Sequence, residues 1–183
     1  MIILKTERTI IRDHCPADLL THHALLSDAE LMKWVNNVGT NTLEESRENL
    51  FSAIAEIGRL DRKFYFLRIE EKDTCRHIGE IGYTVMSEAA SGKTVHLGYF
   101  LHKEYWGRGY ATEAAREVIR FAFVENGVWE IAIGCYKENV ASERVMQKCG
   151  FRFVRELDVQ YAGTTKQRVE YALTKEDWLQ MNP

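Results

Sequence analysis

The stretch His96-Leu-Gly-Tyr-Phe-Leu101, continued by Tyr105-Trp-Gly-Arg-Gly-Tyr-Ala-Thr-Glu-Ala114, decides how this 183-residue chain is read. Its first part is short and apolar, as a buried strand is. Its second part opens with two glycines around an arginine. It then runs into Ala111, Ala114, Ala115, Val118, Ile119 and Ala122, spaced by threes and fours like the buried stripe of a helix. The first N–H groups of a helix lack internal partners and lie at its positive end. Gly107 and Gly109 let backbone approach a ligand closely, and Arg108 adds a cation. The junction suits a diphosphate; the plainer alternative is a simple strand-to-helix turn.

Working outward, Leu4–Arg12 reads as a first strand, and Pro16 suits the first turn of a helix to about Leu26. Ser27-Asp28 caps a further short turn. Thr42-Leu-Glu-Glu45 is a capping box that opens a helix to about Leu60. Lys63–Glu70 and His77–Val85 read as a hairpin, Met86–Lys93 as a polar loop and Thr94–Leu101 as a strand. After the alanine-rich helix, Gly127 is a stop. Glu130–Tyr136 is a buried strand, and Asn139 caps a helix that ends at Cys149-Gly150. Phe151–Val159 and Gln167–Thr174 are two more strands, joined near Ala162-Gly163. The order is that of an α/β (α+β) chain with one mixed sheet of six to seven strands and helices on its faces. Residues 1–183 read as a single domain with a core from about 6 to 175.

Composition narrows the function. With 45% hydrophobic and 28% charged residues the chain is an ordinary globular one. A net charge of −3 without a basic stripe argues against a nucleic-acid partner. No apolar run approaches the ~20 residues of a membrane span, and the start Met1–Asp13 has no long apolar segment of a signal peptide. The cysteines Cys15, Cys75, Cys135 and Cys149 form no Cys-x-x-Cys pair, and a reduced, cytoplasmic protein is expected.

Three motifs fall away on inspection. Gly92-Lys93-Thr94 resembles the end of a phosphate loop, but Ser87 stands where the earlier glycine is needed and a strand follows. Gly107-x-Gly109 has Thr112 at the third glycine of a dinucleotide fingerprint. The six histidines, among them His22-His23 and Cys75-x-His77, lack metal-ligand spacing, so no metal is expected.

Trp106-Gly-Arg-Gly-Tyr-Ala111 resembles the coenzyme A signature of the GCN5-related N-acetyltransferase (GNAT) superfamily, with Trp106 in place of its usual Gln or Arg. Tyr105–Ala114 is similar to the branch that contains the ribosomal-protein N-terminal acetyltransferases. So are Thr6-Glu-Arg-Thr-Ile-Ile-Arg12 and Asn139-Val-Ala-Ser-Glu-Arg-Val-Met-Gln-Lys-Cys-Gly-Phe151. The resemblance implies a centrally splayed sheet, with a bulge near Gly98–Phe100, and acetyl-CoA as co-substrate. It also implies direct acetyl transfer to a primary amine of a protein N-terminus or a small molecule, by a monomer or homodimer. Its cofactor contacts would come from Tyr99, Phe100, Leu101, Trp106, Gly107, Arg108, Gly109, Tyr110, Ala111, Thr112, Asn139 and Ser142.

The same resemblance distributes the chemistry. A backbone N–H near Tyr99 or Phe100 would hold the oxyanion. Ser142 would meet the leaving thiolate, since Met146 stands where many members carry a tyrosine; an ordinary first-turn cap is its alternative. His96 stands where related sequences carry a Glu and would be the general base, with Glu80 as the rival. The acceptor would be shaped by Leu19–Asn41, Met86–Lys93 and Gln160–Lys166, with Trp34 and Tyr161 as candidate lining residues. Two other functions stay open on sequence alone: an acyl-CoA-binding sensor or scaffold that does not turn over, and an unrelated nucleotide-binding module built on Gly107–Gly109.

Overall fold

In a computed structural model, which describes residues 1–35, 38–161 and 163–182, eight strands form one open mixed sheet in the order β1-β2-β3-β4-β5-β6-β8-β7. The chain gathers into two compact units, Met1–Thr84 with Gly98–Val118, and Val85–Leu97 with Ile119–Pro183.

The first unit begins with β1 (Ile3–Lys5) and β2 (Thr9–Asp13), an antiparallel pair. The sequence reading had one strand here. Thr6 breaks it, because its hydroxyl accepts from the Thr9 N–H at 2.8 Å and its own N–H donates to the Thr9 carbonyl at 2.9 Å. A side chain that bonds locally to backbone competes with the ladder and turns the chain. This split makes eight strands rather than six to seven.

A 3-10 turn at Pro16–Asp18 leads into α1 (Leu19–Leu26) and α2 (Ala29–Met32), the latter capped by Asp28. The Thr42 capping box opens α3 (Leu43–Ala55), which stops short of Leu60. The chain after it turns at Gly58, which has a φ of 81° that favours glycine. The strand β3 (Phe64–Glu71) pairs antiparallel with β2 and with β4 (His77–Ala89).

Register gives the two faces of this part of the sheet different chemistry. Leu67 lies opposite Ile81, and Ile11 opposite Ile69, in an apolar face whose side chains are 0–2% exposed. One residue over, Arg12 lies opposite Arg68, and Arg68 opposite Glu80, in a polar row. Asp18 and His22 from the turn and α1 close on that row. Arg12 grips Asp18 at 2.8 and 2.9 Å and Glu70 at 2.7 Å, and Arg68 shares Glu70 at 2.7 Å.

In the second unit the segment expected as a loop, Met86–Lys93, is instead strand on both sides of a two-residue hairpin turn at 90–91. β4 runs to Ala89 and β5 (Gly92–Leu101) starts three residues later. Pairing overrides the weak strand preference of this polar stretch. From Thr94 the ladder of β5 with β6 (Val128–Tyr136) is parallel and runs to His96 opposite Ala132, after a register shift at Lys93/Thr94. The ladder of β6 with β8 (Thr164–Thr174) is antiparallel and runs on to Tyr136. Asn139 caps α5 (Val140–Lys148) by accepting from the Ser142 N–H at 3.1 Å. β7 (Arg152–Tyr161) completes the sheet, and Gly163 lies in its turn to β8. Ala162 lies outside the described residues.

A last helix, α6 (Lys175–Met181), is capped by Thr174 through the Asp177 N–H. The sequence reading passed over it, although Thr174-Lys-Glu-Asp177 carries the cap spacing. Among the described residues no helix is long and apolar enough to cross a membrane.

Gly82 shows how closely β3 and β4 approach. A Cβ there would collide with the Tyr65 carbonyl, which is backbone and cannot swing aside. Gly82→Ala is expected to cost about 3 kcal/mol and to lower the thermal midpoint by about 6–12 °C. Calorimetry of the variant checks this.

Candidate active site

The glycine-rich turn lies in the first unit. A one-turn 3-10 helix, Lys103–Tyr105, delivers the chain to Trp106, whose Nε1–H donates to the Leu101 carbonyl at 2.7 Å. The residue that departs from the family signature therefore fastens the turn to the end of β5. Gly107 and Gly109 have φ of 70° and 85°, a left-handed conformation that costs other residues energy. Between them Arg108 is exposed, with its guanidinium 5.7 Å from the Tyr105 ring and 5.4 Å from the Tyr110 ring. α4 (Tyr110–Glu125) starts directly after. Ala111 and Thr112 are half-buried in its first turn.

Two residues that the sequence reading gave no role hold this turn in place. Glu113 accepts from the Thr6 hydroxyl at 2.6 Å, from the Arg8 N–H at 2.7 Å and from Arg8 Nε at 2.7 Å. Burial would raise the Glu113 carboxyl, but the bonds from Thr6 and Arg8 outweigh it and keep it below its ordinary range. Arg8 also donates to the Arg108 carbonyl at 3.1 Å and stacks 4.4 Å over the Tyr110 ring. Tyr110 in turn donates to Glu71 at 2.9 Å. The signal was present in Thr6-Glu-Arg8, but only the fold brings it against residue 113.

Of the two candidate bases, Glu80 is enclosed in the first unit. Its carboxylate meets His22 Nδ1 at 2.6 Å, with His14 and His77 each 3.7 Å away. His14, His22 and Glu80 offer atoms within 4.8 Å of one another. Two ligands of one tetrahedral zinc lie about 3.3 Å apart, so the 2.6 Å contact is that of a shared proton rather than of two metal ligands. Burial pushes Glu80 up, but His14 and His22 outweigh it and hold it ionised. Burial pulls His22 down, but its bond to Glu80 outweighs that and raises it.

His96 is in the second unit, half-buried at the end of the β5–β6 ladder. Its Nε2 lies 3.4 Å from Arg168 Nη2. Burial first, then Arg168, pushes the imidazole below its usual range, against a smaller pull from Glu170. Ser142 is in the first turn of α5, beside Cys135. Cys135 is buried, and burial pushes its thiol up to about 11. Strand alternation places His96 opposite Ala132 and puts Cys135 on the other face of β6, so His96 and Ser142 belong to different faces of the sheet. Tyr99 and Phe100 are half-buried and Leu101 buried at the end of β5, in the first unit. Trp34 and Tyr161 are both half-buried, and Tyr161 packs 5.8 Å from Tyr136. Asn36 and Asn37, within the expected acceptor segment Leu19–Asn41, lie outside the described residues.

The model of the acetyltransferase (GNAT) domain family matches residues 8–152. The chain belongs to the GNAT family, whose members move an acetyl group from acetyl-CoA to an amine. It is 29% identical to the N-acetyltransferase YoaA of Bacillus subtilis over 152 residues, 82% of either chain. It is 38% identical over 88 residues to an Aspergillus fumigatus FsC-acetyl coenzyme A-N(2)-transacetylase, a match that spans 46% of this chain and only 37% of that protein. Its fold is shared with the ribosomal-protein-S5-alanine acetyltransferase of Vibrio fischeri, at a TM-score of 0.84 and 18% identity, over 97% of this chain and 99% of that one. It is also shared with the spermidine N-acetyltransferase of Vibrio cholerae solved with CoA and spermine, at 0.81 and 16%, over 94% and 98%.

Two outcomes are expected. Glu113→Ala releases both Arg8 and the start of α4, so the dissociation constant for acetyl-CoA should rise about tenfold or more, measured by calorimetric titration. His77 is held neutral by burial, which lowers its pKa to about 4 from the ordinary 6.5. Below pH 6.5 the unfolded chain takes up a proton that the folded chain refuses until about pH 4. The stability lost across that window is about 3 kcal/mol. His77→Gln should flatten the fall in stability between pH 6.5 and 4, followed by denaturant unfolding.

Proposed function

We propose that the chain acetylates a primary amine, on a protein N-terminus or a small molecule, by direct transfer from acetyl-CoA with His96 as the base. The observation that carries this reading is the imidazole at the end of the β5–β6 ladder, partly exposed and held in its neutral, proton-accepting form. Glu80 is the weaker candidate, because the residue is 6% exposed and its carboxylate is already bonded to His22.

In this reading the diphosphate of the cofactor lies on Trp106, Gly107, Arg108, Gly109, Tyr110, Ala111 and Thr112, where α4 presents its positive end. The pantetheine arm takes Tyr99, Phe100, Leu101 and Asn139, and an N–H near Tyr99 or Phe100 takes the oxyanion. The amine nitrogen attacks the thioester carbon. The attacking species is the neutral amine, its ammonium form having first lost a proton to solvent, because an ammonium has no lone pair. Its N–H becomes acidic as the C–N bond forms, and His96 accepts the proton at that point. The C–S bond then breaks, and the Ser142 hydroxyl donates a hydrogen bond to the departing thiolate.

The family match runs through both compact units, which supports one acetyltransferase domain over the whole chain. Amines are the substrates named for the two solved neighbours, a ribosomal-protein alanine in one and spermidine in the other. The net charge of −3 without a basic stripe supports a partner other than nucleic acid, and in this reading the chain works in the cytoplasm, away from the membrane, as a monomer or homodimer.

His96→Ala should lower kcat about 10²–10⁴-fold and remove the acid limb of the pH–rate profile. It should keep the rise in thermal midpoint that acetyl-CoA, and not ATP or NAD, gives the native protein. An unchanged profile would remove His96 as the base. No midpoint rise with saturating acetyl-CoA in the native protein would remove the cofactor assignment.

A further inference from the structure

The face of the second unit that carries His96 is built around a second cation. Alternation along β6 and β8 puts Ala132, Gly134 and Tyr136 on one face with Arg168, Glu170 and Ala172, through the pairs Ala132–Ala172, Gly134–Glu170 and Tyr136–Arg168. Ala132 is also the partner of His96. Small residues therefore pave the ground between Arg168 and His96. At Gly134 the clearance is the minimum: a Cβ there would meet Arg168 Nη2 at 2.9 Å and Nε at 3.0 Å, besides the Val169 carbonyl at 2.8 Å. The long arginine side chain lies flat across glycine and ends 3.4 Å from His96 Nε2.

A guanidinium only donates. The imidazole nitrogen that faces it must therefore be the one with the lone pair, which leaves the proton on Nδ1. We propose that Arg168 is a positioning residue that fixes His96 as the neutral Nδ1–H tautomer with Nε2 as its basic atom. The inference rests on His96 as the base of the reaction and adds which atom works and what selects it. At 3.4 Å the contact is long, so an acceptor N–H can take the place of the guanidinium on Nε2. Arg168 keeps Glu170, 3.8 Å from its Nε, and Arg155 of β7 holds Glu170 from the far side at 2.7 Å. Once Nε2 has taken the proton from the amine, an imidazolium faces a guanidinium. Repulsion between them drives the proton on to solvent and returns the base to its neutral form.

Among the described residues the charged groups that act on His96 are Arg168 and Glu170, both from β8, while β6 presents Glu130, Ala132, Gly134 and Tyr136 on the same face. Burial and Arg168 both push the imidazole down and Glu170 opposes them, in agreement with the geometry.

The test is a nitrogen-15 NMR titration of the imidazoles in the intact protein, run beside the pH dependence of kcat/KM, for the native chain, Arg168→Gln, Arg168→Lys and His96→Ala. His96→Ala assigns the His96 signals. The native signals should show the Nδ1–H tautomer. Arg168→Gln should move the His96 titration and the acid limb of kcat/KM together to higher pH, and Arg168→Lys should restore part of both. Arg168→Lys also keeps the test valid if the glutamine variant folds poorly. An Nε2–H tautomer in the native protein, or a His96 titration that ignores Arg168→Gln, overturns the inference. So does a rise in acceptor KM with the titration unmoved, which would make Arg168 an acceptor-binding group instead. If the NMR titration moves and the acid limb does not, the base assignment fails and the positioning role with it.

Discussion

The start of α4 has to be held still, and one carboxylate does it. A glycine-rich turn is useful because its backbone is uncovered, and for the same reason it cannot order itself. Glu113 supplies the order from outside the turn, with bonds to Thr6 and to both the backbone and side chain of Arg8. A carboxylate in the first turn of a helix also lies at the positive end of the dipole, which favours its charge. The β1–β2 turn, which the Thr6 hydroxyl forms, is what brings Arg8 into reach. The break in the first strand and the geometry of the glycine turn are thus a single arrangement.

The rest of the first unit faces a similar problem of enclosed charge. Arg12, Arg68, Asp18 and Glu70 lie in one row beneath α1, and each has a partner of opposite sign. A network of this kind is weak evidence for stability, since desolvation offsets much of the attraction. Its effect is on arrangement, because removing one member leaves another charge buried and unpaired. Glu80 belongs to the same row by register, which explains why a carboxylate that looks like a base in the sequence is bound up with His22 in the fold.

Most of the architecture was legible because it rests on local signals. The Thr42 box, the Asp28 and Asn139 caps, and the glycines at 107, 109, 127 and 150 each act over a few residues, and each appears where the spacing put it. The errors came where one local signal overrode another. Thr6 turned a stretch that alternates like a strand, and hairpin pairing straightened the polar run Met86–Lys93. The site was legible in its motif and not in its supports. Trp106–Thr112 could be read as a unit, whereas Arg8 lies 105 residues from Glu113 and Arg168 lies 72 from His96. Nothing in the spacing of a sequence relates such pairs; only strand order and register do.

Register also separates the two kinds of proton chemistry in the second unit. On one face of β6 are an imidazole and a guanidinium over alanine and glycine. On the other are the Cys135 thiol and the Ser142 hydroxyl, where burial keeps the thiol protonated. In the proposed reaction His96 accepts a proton from the amine and Ser142 donates a hydrogen bond to the sulfur, so the two groups act on different atoms and need no contact with each other. Period-2 alternation achieves this separation with adjacent residues of one strand. The β5–β6 ladder runs to His96 while β6 itself continues to Tyr136. The separation is therefore kept where His96 leaves the ladder, so that in the proposed reaction the imidazole and the Ser142 hydroxyl stand on opposite sides of β6.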